Sequence, residues 1–264
     1  HDYAKPYWVY RGQGDSAWPL RTSLERCWKP LDVGMTDRKA LERRLLREFT
    51  RAYHQYASHV PKTGNVIEWL SLMQHHGAPT RLLDFTYSVY TAAYFALEEA
   101  RSDCAVWAID GRQALADSVA AFKKEGKPRW HLLEEAIQED HESALHPLFF
   151  HRPFVKSATP LNPFRLNERL RTQQGLFLIP GDPTSGFMDN LEALPCHSDP
   201  NAVVKIIIPL DLRAEALKHL FAMNISRTSL FPGLDGYAQS LRIYHPCHRP
   251  GQWVVRSQKW SVLP

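Results

Sequence analysis

Apolar residues recur along this chain with two periods, and the changes from one to the other mark its elements. Leu41, Leu45, Phe49, Ala52, Tyr53 and Tyr56 fall mostly at three- and four-residue steps. They predict a long helix from a cap at Thr36 or Asp37 to about Ser58. Its other face, with Arg43, Arg44, Arg47, Glu48 and Arg51, reads as a solvated surface. Asn65 to His76 predicts a second helix that Gly77 and Pro79 end. Thr91 to Ala100 predicts a third, whose Ala92, Ala93 and Ala96 permit close packing. Strands are expected at Val9–Arg11, Ala105–Ile109, Leu176–Ile179 and Val203–Ile208, with a further one possible at Phe154–Lys156 inside a proline-spaced connector over 147–163. Short helices are expected from Arg165 to Gln173, from a cap at Asp211 to Phe221, and from Asp235 to Leu241. The span 112–145 reads as a helical insertion or lid. Helices and short strands without regular βαβ alternation indicate an α+β fold, taken here as one domain over 1–264.

Composition narrows the class. Of 264 residues, 44% are hydrophobic and 23% charged, the balance of a globular domain. No apolar run reaches the roughly 20 residues of a membrane helix. The polar opening His1-Asp2-Tyr3-Ala4-Lys5-Pro6 does not read as a signal peptide. Cys27, Cys104, Cys196 and Cys247 are scattered, as expected of a cytoplasmic protein. Cys196-His197 and Cys247-His248 lack the spacing of a zinc site, so no metal is expected. Net charge is +4, yet after Asp235 no acidic residue follows, while Arg242, Arg249, Arg256 and Lys259 alternate with Tyr244, Trp253 and Trp260. That tail reads first as a closing strand pair, with a phosphate-tracking, base-stacking surface as the alternative.

The densest chemistry lies in Gln74-His75-His76-Gly77-Ala78-Pro79-Thr80-Arg81-Leu82-Leu83-Asp84-Phe85-Thr86. So many polar groups around a Gly and a Pro suit a turn at the mouth of a strand better than a core. Arg11 ends a strand beside Gly12-Gln13-Gly14, where an arginine can clamp a phosphate or carboxylate. This Gly-x-Gly is no dinucleotide fingerprint, because no third glycine and no helix follow it correctly. His75 and His76 are candidate acids or bases near neutral pH. Arg81 and Asp84 either serve a ligand or pair with each other to hold the turn.

Tyr10-Arg11-Gly12, Trp18-Pro19-Leu20-Arg21-Thr22-Ser23-Leu24, the 74–86 segment, Gln173-Gln174-Gly175-Leu176-Phe177 and Ser229-Leu230-Phe231-Pro232-Gly233-Leu234-Asp235-Gly236 together resemble the FRG domain, a bacterial module named for its (F/Y)-R-G motif. That family in turn is similar to the ADP-ribosyltransferase fold, a split antiparallel β-sheet core with peripheral helices. The resemblance implies NAD as substrate and a role as toxin or antiviral defence effector. Tyr10-Arg11-Gly12 matches the first-strand element, and Phe85-Thr86-Tyr87-Ser88 the hydroxyl strand. On the third strand Gln174 or Leu176 stands where a glutamate is expected, so either another carboxylate substitutes, with Asp84 and Asp235 as the candidates, or the chemistry differs. Arg11, His76, Asp84, Thr86 and Asp235 are then the catalytic candidates. Tyr10, Arg11, Gly12, Gln13, His75, Thr80, Arg81, Thr86 and Gln174 are the candidates for holding the nucleotide. The acceptor is a nucleic acid or a protein, and the rival reading is a non-catalytic nucleotide- or nucleic-acid-binding module.

Overall fold

A computed structural model describes residues 7–30, 33–35, 37–57, 60–62, 64–133, 142–163 and 167–241. Its frame is one antiparallel sheet of six strands: β1 Trp8–Gln13, β2 Leu83–Thr86, β3 Cys104–Asp110, β4 Ala158–Leu161, β5 Gly175–Pro180 and β6 Val203–Ile208. Across the sheet their order is β4-β5-β2-β1-β3-β6. The helices are α1 Ser23–Trp28, α2 Arg38–Tyr53, α3 Val66–His75, α4 Val89–Leu97, α5 Gly111–Lys124, α6 Glu142–Phe150, α7 Glu168–Thr172, α8 Phe187–Glu192, α9 Arg213–Ala222, α10 Arg227–Leu230 and α11 Leu234–Ser240. Among the described residues, none of these is long and apolar enough to cross a membrane.

Alternation along the strands divides the core. On β5, Leu176 and Leu178 join Val9, Phe85, Ile109 and Phe187 on one face. Phe177 and Ile179 point the other way, to Leu70, Met73, Phe122 and Phe149 from α3, α5 and α6. A third cluster sets Ala92, Ala96 and Leu97 of α4 against Val106 of β3 and Leu217 and Leu220 of α9.

One irregularity in this sheet matters most. β1 pairs with β3 through six residue pairs and β2 with β5 through four. Between the two central strands a single pair forms, Tyr10 opposite Thr86. Continuing that antiparallel register would set Gly12 opposite Asp84, but there the strands have parted. Gly12 is required at this point for a steric reason: a Cβ would lie 2.0 Å from the Ala92 carbonyl oxygen of α4. The missing side chain lets α4 lie directly on β1, beside the opening.

Several expectations are corrected. The 112–145 span is no simple lid: α5 carries fully buried Ala114, Ser118 and Phe122 into the core. Residues 134–141 lie outside the described part, as does the basic tail from Arg242. Pro147 falls inside α6, and the strand near it forms at 158–161, not 154–156. Pro160 is tolerated because β4 is an edge strand, where a proline need not donate to a neighbour. Asp211 sits in a short 3-10 turn, Leu210–Leu212, and the cap position of α9 is Leu212. The long helix ends at Tyr53 rather than Ser58.

Candidate functional site

The opening between β1 and β2 is bridged by one side chain. Where the Asp84 carbonyl loses its strand partner, Arg11 Nη1 donates to it at 2.7 Å. The same Nη1 lies 4.0 Å from Asp84 Oδ2. Arg11 is only 22% exposed, and its Nε is buried without a hydrogen-bond partner. Burial holds its guanidinium below the usual arginine range, with Asp84 opposing that shift and Arg26 reinforcing it. The group stays charged, so a desolvated cation faces the opening.

Asp84 is held from behind by a relay. Gln74 Nε2 donates to Asp84 Oδ2 at 2.8 Å, and Thr80 Oγ1 donates to Gln74 Oε1 at 2.6 Å. The relay orients one carboxylate oxygen and leaves Oδ1 without a hydrogen bond among the described residues. The side chain of Asp84 is half exposed.

The opposite wall comes from the segment before β5. Asn167 caps α7 by accepting from the Leu170 backbone N–H, and this places Arg169 one turn before Gln173. Arg169 and Asp84 both line the cleft's two adjoining hollows, the larger about 210 Å³. Tyr10, Arg11, Gly12, Phe85, Thr86, Phe95 and Gln173 complete the larger hollow, and His75 and Gln74 border the smaller. Burial lowers the pKa of Arg169 first, and Arg227 lowers it further, while Asp84 raises it. The guanidinium groups of Arg169 and Arg227 each lie 4.6 Å from the centre of the Phe231 ring. Gln173 Nε2 donates to the Leu230 carbonyl at 3.0 Å, which ties the 229–236 segment to this wall. Arg11, Gly12 and Phe95 also line a further groove, of about 1240 Å³, whose wall includes Trp18, Arg21, Arg26 and Arg101 together with the carboxylates Asp15, Glu98 and Glu99.

The sequence candidates therefore separate. Tyr10, Arg11, Asp84 and Thr86 come together, and His75 borders them with a buried, unpartnered Nδ1. Thr86 Oγ1 already donates to the Gln173 carbonyl and accepts from the Ser88 N–H, so its hydroxyl chiefly positions the wall. Arg81 is corrected outright. It is 2% exposed and gripped on two nitrogens by the buried Glu42 carboxylate, and it donates to the Phe149 carbonyl as well. It neither meets a ligand nor pairs with Asp84. Thr80 is fully buried and serves the relay and the Leu82 N–H. Gln13 has both ends of its amide engaged, donating to the Pro19 carbonyl and accepting from Trp107 Nε1.

His76 is exposed at the end of α3 and lines neither hollow; its neighbour His75 does. Gln174 is exposed in a left-handed conformation, φ 49°, and Gln173 takes the place at the cleft. Asp235 does not cap its helix. Gly233 holds the cap position and Asp235 is an exposed residue of the first turn, lining neither hollow. Arg169 was missed, although it lies one helical turn before the Gln173-Gln174-Gly175 motif.

Among the described residues no cluster of His, Cys, Asp and Glu has the makings of a metal centre. Residues 6–104 match the family model of the FRG domain, and this part supplies Tyr10, Arg11, Gly12 and the 74–86 segment. Arg169, Gln173 and the 229–236 segment lie beyond that match. No curated protein and no solved structure matches the chain.

Proposed function

We propose that the cleft binds a nucleotide through its phosphates and, with NAD as that nucleotide, transfers ADP-ribose to an acceptor. One observation carries the reading. Two guanidinium groups, Arg11 and Arg169, flank a break in the sheet whose hollow has Asp84 as its only lining carboxylate. Partly desolvated arginines attract anions strongly, and their planar forks suit phosphate oxygens. A hollow of about 210 Å³ suits one ring or one sugar, and the groove that shares Arg11, Gly12 and Phe95 with it has room for the rest of a dinucleotide. A sheet that parts at its centre also supports the likeness to the ADP-ribosyltransferase fold.

In this reading the bond between the nicotinamide nitrogen and ribose C1′ breaks. Nicotinamide leaves with the bonding electrons, and C1′ takes on oxocarbenium character before the acceptor nucleophile attacks it and gives up a proton. Asp84, fixed by Gln74, supplies the negative charge that would otherwise come from a third-strand glutamate. Arg11 and Arg169 hold the pyrophosphate, and the bound dinucleotide itself covers the open hollow, so that an acceptor held close can compete with water.

Nicotinamide release from labelled NAD tests this. Wild-type protein should release it, and Asp84→Asn should lose about two to three orders of magnitude in rate while still binding NAD. Equal rates in the two proteins would remove Asp84 from the chemistry. The second reading, a non-catalytic nucleotide-binding module, draws on the same geometry: with His76 and Asp235 outside the cleft, one carboxylate stands where chemistry needs charge. NAD binding without any release by wild-type protein would favour it.

A further inference from the structure

A second depression lies apart from the cleft and is far more basic. Lys39, Arg43, Arg44 and Arg47 of α2 form one wall, and Arg152, from the turn after α6, lines the same hollow of about 670 Å³. Lys39, Arg43 and Arg47 follow at four-residue steps, which sets them on one helix face about 6 Å apart. Like charges so spaced destabilise a helix. Among the described residues the compensation is slight: Glu42 acts on Lys39 only at a distance. Glu42 is bound by Arg81, and Glu48, the one acid of the hollow, meets Arg51 at 3.3 Å. Among the described residues none of the five cations has a carboxylate within ion-pair distance. Phe154 lies under Lys39 and Arg152, at 4.4 and 5.8 Å, which keeps the two walls together. Burial, then Arg43, Arg152 and Arg81, lower the pKa of Lys39, with Glu42 opposing the shift.

A lone arginine stripe on a helix would pass for a solvated face, as the sequence alone suggested. The second wall changes that. Arg152 joins a residue about 100 positions away to the stripe and turns it into a concave groove with five cations and one carboxylate, Glu48, in its lining. We infer that this groove binds a nucleic-acid strand, with Lys39, Arg43, Arg44, Arg47 and Arg152 on its phosphates. A repeat of single negative charges along a narrow polymer fits a row of cations one turn apart, and guanidinium forks match phosphate oxygens. A membrane surface, by contrast, is broad and flat.

The test is binding of a fluorescently labelled single-stranded oligonucleotide to the full chain, without NAD, over a range of salt. Five phosphate contacts predict an affinity that falls about a hundredfold between 50 and 200 mM salt. Arg43→Glu/Arg47→Glu should weaken binding at least tenfold. Arg43→Gln/Arg47→Gln, which keeps helix-forming residues, should lower the salt slope by about 1 to 1.5. Both positions are exposed, so thermal melts should stay near wild type. NAD binding should be untouched, which keeps this inference separable from the cleft. Unchanged oligonucleotide affinity in the glutamine variant, no binding by wild-type protein at low salt, or binding to phosphatidylserine vesicles in place of oligonucleotide would each overturn it.

Discussion

Arg81 and Glu42 offer a sharp separation of scaffold from site. Their side chains are 2% and 5% exposed, and two nitrogens of the guanidinium meet the carboxylate. Arg81 also donates to the Phe149 carbonyl at 3.0 Å and stands 4.7 Å from the centre of the Phe150 ring. The pair thereby fastens α2 and α6 to the turn that leads into β2. Arg81→Met leaves a buried carboxylate alone, and Glu42→Gln leaves a buried guanidinium alone. Breaking such a pair costs about 3–5 kcal/mol. For a domain of this size that lowers Tm by about 6–20 °C. Glu42→Leu/Arg81→Met, which removes both charges, should recover most of the loss, because two apolar side chains need no partner there. Circular-dichroism melts of the four proteins measure this, alongside NAD affinity below the transition. Melting within about 2 °C of wild type in both single variants, or weakened NAD binding at unchanged Tm, would refute the assignment of Arg81 to the core.

Gly12→Ala should disrupt folding although it adds one methyl group, because that Cβ would lie 2.0 Å from a backbone oxygen of α4 and backbone cannot rotate away. A soluble Gly12→Ala protein with wild-type Tm would show that α4 does not rest on β1. His75 gives a pH dependence: burial, then His76 and Arg169, lower its pKa below 6.5. The unfolded chain therefore takes up the proton more readily, and the stability contribution of His75 is full above about pH 6.5 and declines as pH falls through that value. His75→Gln should flatten this acid-side decline in urea titrations, and an identical pH profile in the variant would contradict the burial of Nδ1.

Much of the frame could be read from the residues because local pattern and final packing agree. Val203–Ile208 is a β-branched run and forms a strand with those bounds. Gly77, φ 79°, ends α3 as a glycine after a periodic stretch should. The failures arise where distant partners decide. Pro160 reads as a breaker, yet the edge of the sheet accepts it. Arg81 reads as a ligand group inside a polar motif, and only Glu42, 39 positions earlier, reveals that it is a core cation. In the cleft, Arg11 and Asp84 were legible as chemistry, but nothing local shows that β1 and β2 separate after Tyr10 and Thr86. That parting turns two neighbouring strand ends into a cavity. That His75 reaches the cleft and His76 does not, and Gln173 but not Gln174, follows from where each backbone element stops, which a motif alone does not specify.

The central claim is that the break between β1 and β2, flanked by Arg11 and Arg169, is where NAD binds. Equilibrium binding of labelled NAD to the full chain tests it most directly, with Arg11→Met and Arg169→Met as comparisons. A hydrogen bond to a charged group contributes about 1.5–3 kcal/mol, so each variant should bind NAD roughly 10- to 150-fold more weakly. Arg11→Met should melt within a few degrees of wild type, since it removes a desolvated cation whose Nε has no partner. Absence of NAD binding by wild-type protein, or wild-type affinity in both folded variants, would contradict the account.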